Sequence, residues 1–185
     1  MKENLYQNRY RIPSTRLPEW DYSLGEYFIT ICTKDKENYF GNVVDWKMQL
    51  NELWKIVEDE ILNTSKFRTN VIADEFIVMP NHIHLILFIE HINRRDGLQP
   101  SNSDVCNAFL QDNKFWPQKN NLATIIRWLK WSITSQIQKI DKNFSRQTRF
   151  FEHIIRNEKE LDTIREYIQN NPFKWELEKD NNLDF

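Results

Sequence analysis

His82 and His84 lie one residue apart at the start of the apolar run HIHLILFI (82–89). Such a run, preceded by Pro80 and Asn81, predicts a strand, and alternate side chains of a strand point to the same face. The two Cα atoms would then lie about 6.6 Å apart, so both imidazoles could reach one divalent cation. Two structural histidines at the edge of the core are the alternative. The ligand pair is favoured, because two buried imidazoles side by side each need a partner and one metal serves both.

Tyr167 and Asn171 supply further groups, one helical turn apart on a predicted last helix over 157–172. At about 100° per residue, both lie on the shoulder of the apolar stripe of that helix, where a side chain can face a sheet and still be reached by a substrate. Taken singly, Tyr167 fits a boundary tyrosine with a wet hydroxyl, and Asn171 fits an ordinary residue before a proline. Tyr167 is, however, the sole tyrosine after the histidine pair, since the other five precede residue 40.

The rest of the chain predicts the elements that would carry these residues. Alternating apolar residues predict strands, and repeats at helical spacing predict helices. The last helix has capping signals in Asn157 and Glu160 and a stop in Pro172. We expect, in chain order, a strand at 26–34, a helix at 43–62, strands at 71–79 and 82–89, a helix at 121–140, a strand at 149–156 and a helix at 157–172, with an irregular arm at 1–24, a long loop at 91–120 and an acidic tail at 176–185.

This β-α-β-β-α-β-α order predicts an α+β fold, an antiparallel sheet with helices packed on it, in a single domain over 1–185. The three glycines of the chain argue against Gly-rich phosphate loops. Cys32 and Cys106 share no short spacing and are interpreted as free thiols of a reduced compartment. The sequence shows no signal-peptide pattern and no apolar run of about 18 residues. We therefore expect a soluble, cytoplasmic protein without a membrane partner.

Two motifs together carry a resemblance to a known family: MPNHIH (79–84) and FFEHIIRNEKELDTIREYIQNNPFKW (150–175). They resemble the REP-associated tyrosine transposase group of the single-tyrosine HUH transposases, where HUH stands for His-hydrophobic-His. The resemblance runs from YFITICTK (27–34) to the end of the second motif. It implies a ferredoxin-like or RRM-like antiparallel sheet flanked by α-helices. It also implies a metal-dependent endonuclease and strand transferase that acts on hairpin-bearing single-stranded DNA.

Matched residue by residue, the resemblance implies a role for each candidate residue. His82 and His84 correspond to the metal ligands, and Asn171 corresponds to a third ligand. Tyr167 corresponds to the nucleophile that forms a 5′-phosphotyrosine. The cofactor would be Mg²⁺ or Mn²⁺, with the imidazoles favouring Mn²⁺.

The DNA-binding residues are predicted from charge and aromatic character. The net charge of −2, from 25 basic and 27 acidic residues, is low for a dedicated duplex-DNA binder. Basic residues nevertheless cluster over 127–149, where Trp128 and Trp131 are one turn apart and could stack unpaired bases; packing of these tryptophans on the sheet is an equally good interpretation. The chain departs from the family pattern at Arg146-Gln147, where Trp-Gln is common, and at Phe151, where Tyr is frequent. The predicted DNA contacts are Arg127, Lys130, Trp131, Arg146 and Arg149.

Two other function classes stay open from the sequence. A metal-dependent phosphodiesterase that uses water would need the histidines but not Tyr167. A domesticated, non-catalytic nucleic-acid-binding module would need the basic and aromatic surface but neither metal nor tyrosine. A homodimer is also left open.

Overall fold

The computed structural model describes residues 16–17, 19–91 and 121–181. Most of the predicted arm (1–24) and loop (91–120) therefore lies outside the described residues. The chain divides into two compact units, Met1–Asp21 with Asp96–Pro117 and Tyr22–Arg95 with Gln118–Phe185. In the described part of the first unit, the Trp20 amide donates to the Leu17 carbonyl at 3.3 Å. The single domain predicted over 1–185 stays a prediction, because most of the first unit is not described.

The second unit is built on an antiparallel sheet of four strands: β1 (Gly25–Cys32), β4 (Val71–Val78), β5 (His82–Ile89) and β6 (Phe151–Ile155). Their order across the sheet is β4-β5-β1-β6, with every neighbouring pair antiparallel. Helix α1 (Glu52–Phe67) connects β1 to β4, and helix α2 (Leu122–Ile137) precedes β6. This is the ferredoxin-like β-α-β-β-α-β order. The two parallel strands that each helix connects are separated in the sheet by one antiparallel strand. The predicted fold class is confirmed.

Both faces of the sheet are covered, and the two faces of β5 show how. Ile83, Leu85 and Leu87 are at most 2% exposed and point to the face served by α1 and α2, which pack against each other. Ile86 points to the opposite face, where it packs with Leu161 and Ile168 of helix α3 (Glu158–Gln169). His82 and His84 share the face of Ile86 by the alternation of the strand. The helix that carries Tyr167 therefore lies over the face that carries the histidines.

A hairpin replaces the first half of the predicted helix at 43–62, and that part of the prediction is wrong. Strands β2 (Gly41–Val44) and β3 (Lys47–Leu50) pair antiparallel as a separate two-stranded sheet. The turn between them is Asp45-Trp46, with φ values of 50° and 64°. Two successive residues with positive φ match the twist of a tight hairpin, but Asp-Trp lacks the glycine that usually announces such a turn. The helix itself begins only after Asn51, whose side chain accepts from the Leu53 amide.

The C-terminal segment also differs from its prediction. Helix α3 ends at Gln169, and a further helix, α4, spans Asn171–Asn181. Pro172 does mark a helix boundary, but it lies in the first turn of α4, where its missing N–H is not needed. The acidic tail predicted from residue 176 is therefore helical as far as Asn181. Helix α4 packs on the β2–β3 hairpin, and the rings of Trp46 and Phe173 lie 4.9 Å apart there.

The start of α3 matches its capping signals. Asn157 is the N-cap, and its side chain accepts from the Glu160 amide at 2.9 Å. Glu160 reaches back as expected for a capping box, but to the Arg156 amide at 2.8 Å rather than to that of the cap residue. Its other oxygen lies 2.7 Å from His153 Nε2. His153 is therefore tied to the start of α3.

The other predicted elements are confirmed to within a few residues at their ends. A 3₁₀ turn at Lys34–Lys36 follows β1. Within the described ranges, no helix combines the length and apolar character needed to cross a membrane.

Candidate active site

The two histidines face the same side of the sheet, as their spacing predicts. On the neighbouring strand β1, Thr30 pairs with His84 and Cys32 pairs with His82. The imidazole centroids lie 4.5 Å apart, and His84 is only 5% exposed. The pair thus lies at the start of the central strand β5, where the buried sheet opens to the surface.

Each imidazole is held through its Nδ1 atom. The Thr30 hydroxyl lies 2.9 Å from Nδ1 of His84, and the Asn81 side-chain oxygen lies 2.8 Å from Nδ1 of His82. An amide oxygen can only accept, so Nδ1 of His82 carries the proton and its Nε2 keeps a free lone pair. With Thr30 as acceptor, the same holds for His84. Fixing one ring nitrogen so that the other is free is the usual way in which proteins prepare a histidine ligand.

Both imidazoles are neutral at physiological pH. Burial lowers the pKa of His82 to about 4, against a smaller opposing effect of the nearby Asn171 side chain. Burial also lowers the pKa of His84 to about 3, and the neighbouring His82 adds to that effect. Neutral imidazole is the form that binds metals.

Tyr167 and Asn171 converge on this pair from the helical layer. The Tyr167 hydroxyl lies 3.5 Å from Nε2 of His84, and the ring of Phe28 meets the tyrosine ring edge-on at 6.0 Å. Asn171 is 5% exposed, and its side chain lies near enough to His82 to raise the pKa of that imidazole slightly against the effect of burial. The structure therefore brings together, within one chain, all four residues that the sequence singled out. Asn171 comes from the first position of α4, however, and not from the helix of Tyr167.

The donor set fits a divalent cation. Two neutral imidazoles and one amide oxygen are acceptable ligands for a first-row metal, and the lack of a carboxylate among them favours Mn²⁺ over Mg²⁺. In the described part of the chain, no cluster of three or more His, Cys, Asp and Glu residues could hold a metal. A site at the histidine pair therefore depends on Asn171 as its third protein donor.

Two residues of α4 that were not predicted from the sequence complete the walls of the site. The Lys174 ammonium lies 4.7 Å from the centroid of the Tyr167 ring, and the ring of Trp175 lies 5.5 Å from that of His82. They follow Asn171 by three and four residues, which places them near it on a helix. That spacing could have found them if α4 had been predicted as a helix.

Lys130 was predicted to contact DNA, but the structure buries its side chain inside the protein. Its side chain is 3% exposed, and its ammonium donates to three backbone carbonyls, those of Gln147, Thr148 and Arg149, at 3.0, 2.8 and 3.1 Å. Burial lowers its pKa to about 8. All three N–H groups are used within the protein, which leaves none for a phosphate.

The other predicted DNA contacts have mixed surroundings. Arg127, Trp131 and Arg149 are exposed, with Trp131 at 62%. Arg146 is half-buried, and its Nε donates to the Lys130 carbonyl at 3.0 Å and to the Thr134 hydroxyl at 2.9 Å. The segment of Arg146 runs beside the end of β1, where the Gln147 amide donates to the Cys32 carbonyl. This segment is therefore separated from His82 by the width of one strand.

Comparisons with known proteins find two similar proteins from one organism. No family model matches the chain. An uncharacterized protein of Haemophilus influenzae is 40% identical over 173 residues, covering 90% of this chain and 91% of that protein. A second protein of that organism, named "Putative REP-associated tyrosine transposase", is 26% identical over 161 residues, covering 81% of this chain and 71% of its own length.

A solved structure shares the fold. It is that of a REP-associated tyrosine transposase bound to a REP hairpin, and it matches 88% of this chain and 74% of its own with a TM-score of 0.56 and 19% sequence identity. At that identity the likeness concerns the fold alone. The named relative, with a fold that agrees, supports a REP-associated tyrosine transposase-like group for this chain.

Proposed function

We propose that this protein is a transposase that nicks and rejoins single-stranded DNA with Tyr167 as its nucleophile. The observation that carries the proposal is the 3.5 Å separation between the Tyr167 hydroxyl and Nε2 of His84, with the buried Asn171 side chain near His82. A nucleophile beside a prepared pair of metal ligands is the arrangement that cleavage of a phosphodiester needs.

The proposed reaction exchanges one phosphate ester for another. The Tyr167 oxygen forms a bond to phosphorus and loses its proton, and the bond from phosphorus to the 3′-oxygen breaks. That oxygen takes up a proton and leaves as the 3′-hydroxyl of the upstream fragment, so the downstream fragment stays on the protein through its 5′-phosphate as a phosphotyrosine. No water is consumed. A 3′-hydroxyl of another strand can therefore reverse the reaction and join the two strands.

His82, His84 and Asn171 would hold the divalent cation. When bound, such a cation supplies Lewis-acid polarisation of the scissile phosphate. Thr30 and Asn81 hold the two imidazoles in orientation through Nδ1. The remaining groups act on the reactants.

Lys174 is the residue that we assign to the negative charge of the phosphate. Its ammonium lies on the face of the Tyr167 ring, so a phosphate approached by the tyrosine hydroxyl lies within reach of a positive charge. A lysine binds phosphate as a point charge and needs no fixed geometry. Phe28 and Trp175 wall the site with apolar surface and strengthen these interactions by excluding water.

Single-stranded DNA with a hairpin is the proposed substrate. The fold neighbour was solved bound to a REP hairpin. Exposed Arg127 and Arg149 and the half-buried Arg146 offer positive charge for a phosphate backbone. Trp131, 62% exposed, offers a ring on which an unpaired base can stack.

The test is whether DNA becomes covalently attached to the protein. Purified protein is mixed with Mn²⁺ and a pool of oligonucleotides that share a stem and carry randomised single-stranded flanks. We expect an adduct that survives boiling in detergent, and none with Tyr167→Phe, which keeps the ring and removes only the attacking oxygen. Tyr39→Phe, at a half-buried tyrosine whose hydroxyl donates to the Asn143 carbonyl, is the control and should react as the wild type does.

The other function classes give different results in this assay. Cleavage by Tyr167→Phe without any adduct from the wild type would identify a phosphodiesterase that uses water. Binding of the pool without cleavage, under Mg²⁺ and Mn²⁺ alike, would identify a binding module. Replacing both His82 and His84 with Ala should abolish cleavage and the thermal stabilisation by Mn²⁺. A Mn²⁺ response that survives in that variant would refute the metal site.

A further inference from the structure

Strand β4 is irregular at the place where it meets the tyrosine helix. Its pairing with β5 runs from Ala73 opposite Leu87 directly to Phe76 opposite Leu85. Three steps along β4 thus match two along β5, so Asp74 and Glu75 together occupy the place of one residue. This is a β-bulge, a feature that redirects side chains and is frequent next to active sites.

Both carboxylates of the bulge engage helix α3. Asp74 accepts from Nε of Arg165 at 2.8 Å and from its Nη2 at 2.9 Å. The Glu75 carboxylate accepts from the Gln169 side-chain amide at 3.4 Å, a longer and weaker contact. Consecutive residues of a regular strand point to opposite faces, so without the bulge only one of the two carboxylates could face the helix.

The Arg165–Asp74 contact is the stronger of the two. It is bidentate, which fixes the relative orientation of the two groups as well as their distance. The side chains are 34% exposed for Arg165 and 22% for Asp74, so solvent screens the pair only partly. A second acid, Asp162, lies 3.3 Å from Nη1 of Arg165, but its side chain is 67% exposed and belongs to the same helix. It cannot anchor the helix to the sheet.

These contacts lie on the shoulder of α3 opposite to Tyr167. Counted from the buried Ile168 at about 100° per residue, Arg165 falls at about +60°, Gln169 at about +100° and Tyr167 at about −100°. Asp74 and Glu75 therefore hold one shoulder of the helix to β4, while Tyr167 extends from the other shoulder towards His84. A rotation of the helix about its axis would loosen the contacts with Asp74 and Glu75 and would displace Tyr167.

The position of the hydroxyl is sensitive to such a rotation. Side chains reach about 5–6 Å from the helix axis, so a turn of roughly 10° moves the tip of a side chain by about 1 Å. A misplacement of about 1 Å in a reacting group can cost on the order of 100-fold in rate. The apolar stripe of α3 resists rotation only weakly, because leucine and isoleucine contacts have no fixed direction.

We propose that Asp74 and Glu75 clamp α3 through Arg165 and Gln169 and thereby position the Tyr167 hydroxyl against His84. These four residues are positioning residues and touch no reacting atom. The inference rests on the proposed function in one respect, that Tyr167 is the nucleophile. Its geometric part, that the clamp sets the location of Tyr167, does not depend on any reaction.

The geometric part is tested without DNA or metal. Protein labelled with 3-fluorotyrosine gives one ¹⁹F signal for each tyrosine, and the Tyr167→Phe variant identifies the signal of residue 167. The rings of Phe28 and His84, with centroids 6.0 and 5.3 Å away, make this signal sensitive to the placement of the tyrosine. We expect Asp74→Ala to move it and Arg165→Lys, which keeps the charge but loses the planar fork, to move it less.

The catalytic part is tested on unlabelled protein. For a hairpin oligonucleotide that the wild type cleaves, Asp74→Ala should lower kcat about 10-fold or more, while KM and the Mn²⁺ dissociation constant stay within about twofold. Glu160→Ala is the matched control, because Glu160 holds the start of the same helix but lies far along it from Tyr167. It should lower the melting temperature and leave the ¹⁹F signal and kcat unchanged.

The outcomes separate the two claims. An Asp74→Ala variant with the wild-type ¹⁹F signal and the wild-type kcat would overturn the clamp. A Glu160→Ala variant that moves the signal and kcat as far as Asp74→Ala does would reduce the clamp to general stability and overturn it too. If Asp74→Ala does not fold, Arg165→Lys and Gln169→Ala answer the same question. If the wild type forms no adduct, the proposed function fails, and the ¹⁹F signal alone decides whether the clamp exists.

Discussion

The Thr30 hydroxyl lies 2.9 Å from Nδ1 of His84, directly across the β1–β5 ladder. This contact leaves the other nitrogen of the ring, Nε2, facing Tyr167. It ties the orientation of a proposed metal ligand to a residue that has no contact with the metal. The relationship follows from strand register alone, since Thr30 and His84 are paired residues on the same face.

Replacing Thr30 with Val keeps the shape of the side chain and removes this hydrogen bond. Loss of such a supporting contact usually costs about 10–100-fold in metal affinity. We expect that loss for Mn²⁺, measured by isothermal titration calorimetry. Thr163→Val, which removes an exposed hydroxyl of α3 bonded to its own helix, is the control and should bind Mn²⁺ as the wild type does. Equal affinities for both variants would contradict the role given to Thr30.

The histidine pair predicts how stability depends on pH. In the folded protein the pKa values are about 4 for His82 and about 3 for His84, below the ordinary value of 6.5. Below pH 6.5 the unfolded chain therefore takes up protons that the folded chain resists, and the free energy of unfolding falls as the pH drops towards those values. The slope is about 1.4 kcal/mol per pH unit for each histidine inside its window.

The His82→Gln/His84→Gln variant removes both groups and isolates this effect. Urea unfolding at several pH values between 7.5 and 4 should give a flatter profile for the variant than for the wild type. Above pH 7 the two histidines are neutral in both the folded and the unfolded protein, so they should add no pH dependence to the free energy of unfolding. Parallel profiles across the whole range would show that the two histidines are not buried as neutral groups.

Lys174 is expected to act on the reaction and not on the metal. Its ammonium lies 4.7 Å from the Tyr167 ring centroid, and removing a charge aimed at a reacting phosphate costs about 10-fold or more in rate. Lys174→Gln should therefore slow adduct formation to that extent with an unchanged Mn²⁺ affinity, and Lys174→Arg should retain most of the rate. Lys159→Gln, at an exposed lysine in the first turn of α3, should have no effect. A rate for Lys174→Gln equal to that of the wild type would exclude the residue from the site.

Substitution of Lys130 should lower stability, whereas substitution of Arg127 should weaken DNA binding. Lys130→Met leaves three backbone carbonyls without their donor, and each buried polar group left unpaired costs about 1–3 kcal/mol. It should lower the urea midpoint and leave the salt dependence of DNA binding unchanged. Arg127→Ala should do the reverse, reducing the slope of log K against log salt by about 0.7 for a single strand. A slope that falls with Lys130→Met in a stably folded variant would return that residue to the DNA surface.

The sequence predicted the fold class and the four residues that converge in the structure, but not every element around them. His82 and His84 were identified because strand alternation is strictly local, and Tyr167 and Asn171 because of their spacing and the family motif. The β2–β3 hairpin was missed, because the apolar residues of 43–50 also fit a helical repeat and the turn residues Asp45 and Trp46 have no glycine to mark them.

Other features depend on contacts between distant segments. The burial of Lys130 is decided by three carbonyls that lie 17 to 19 residues further along the chain. The bulge at Asp74 and Glu75 becomes visible only from the pairing of β4 with β5. Neither leaves a local pattern that a reading of the sequence could use.

The central claim is that Tyr167 is the residue that becomes joined to DNA. Trypsin cleaves after Arg165 and after Lys174, so it releases Tyr167 in the peptide EYIQNNPFK, which contains no other tyrosine. After reaction with Mn²⁺ and a cleaved hairpin strand, and digestion of the DNA to a short remnant, mass spectrometry should find this peptide with a nucleotide attached through the tyrosine. A nucleotide attached to a peptide that contains a different tyrosine, or cleaved DNA with EYIQNNPFK wholly unmodified and no adduct, would contradict the account.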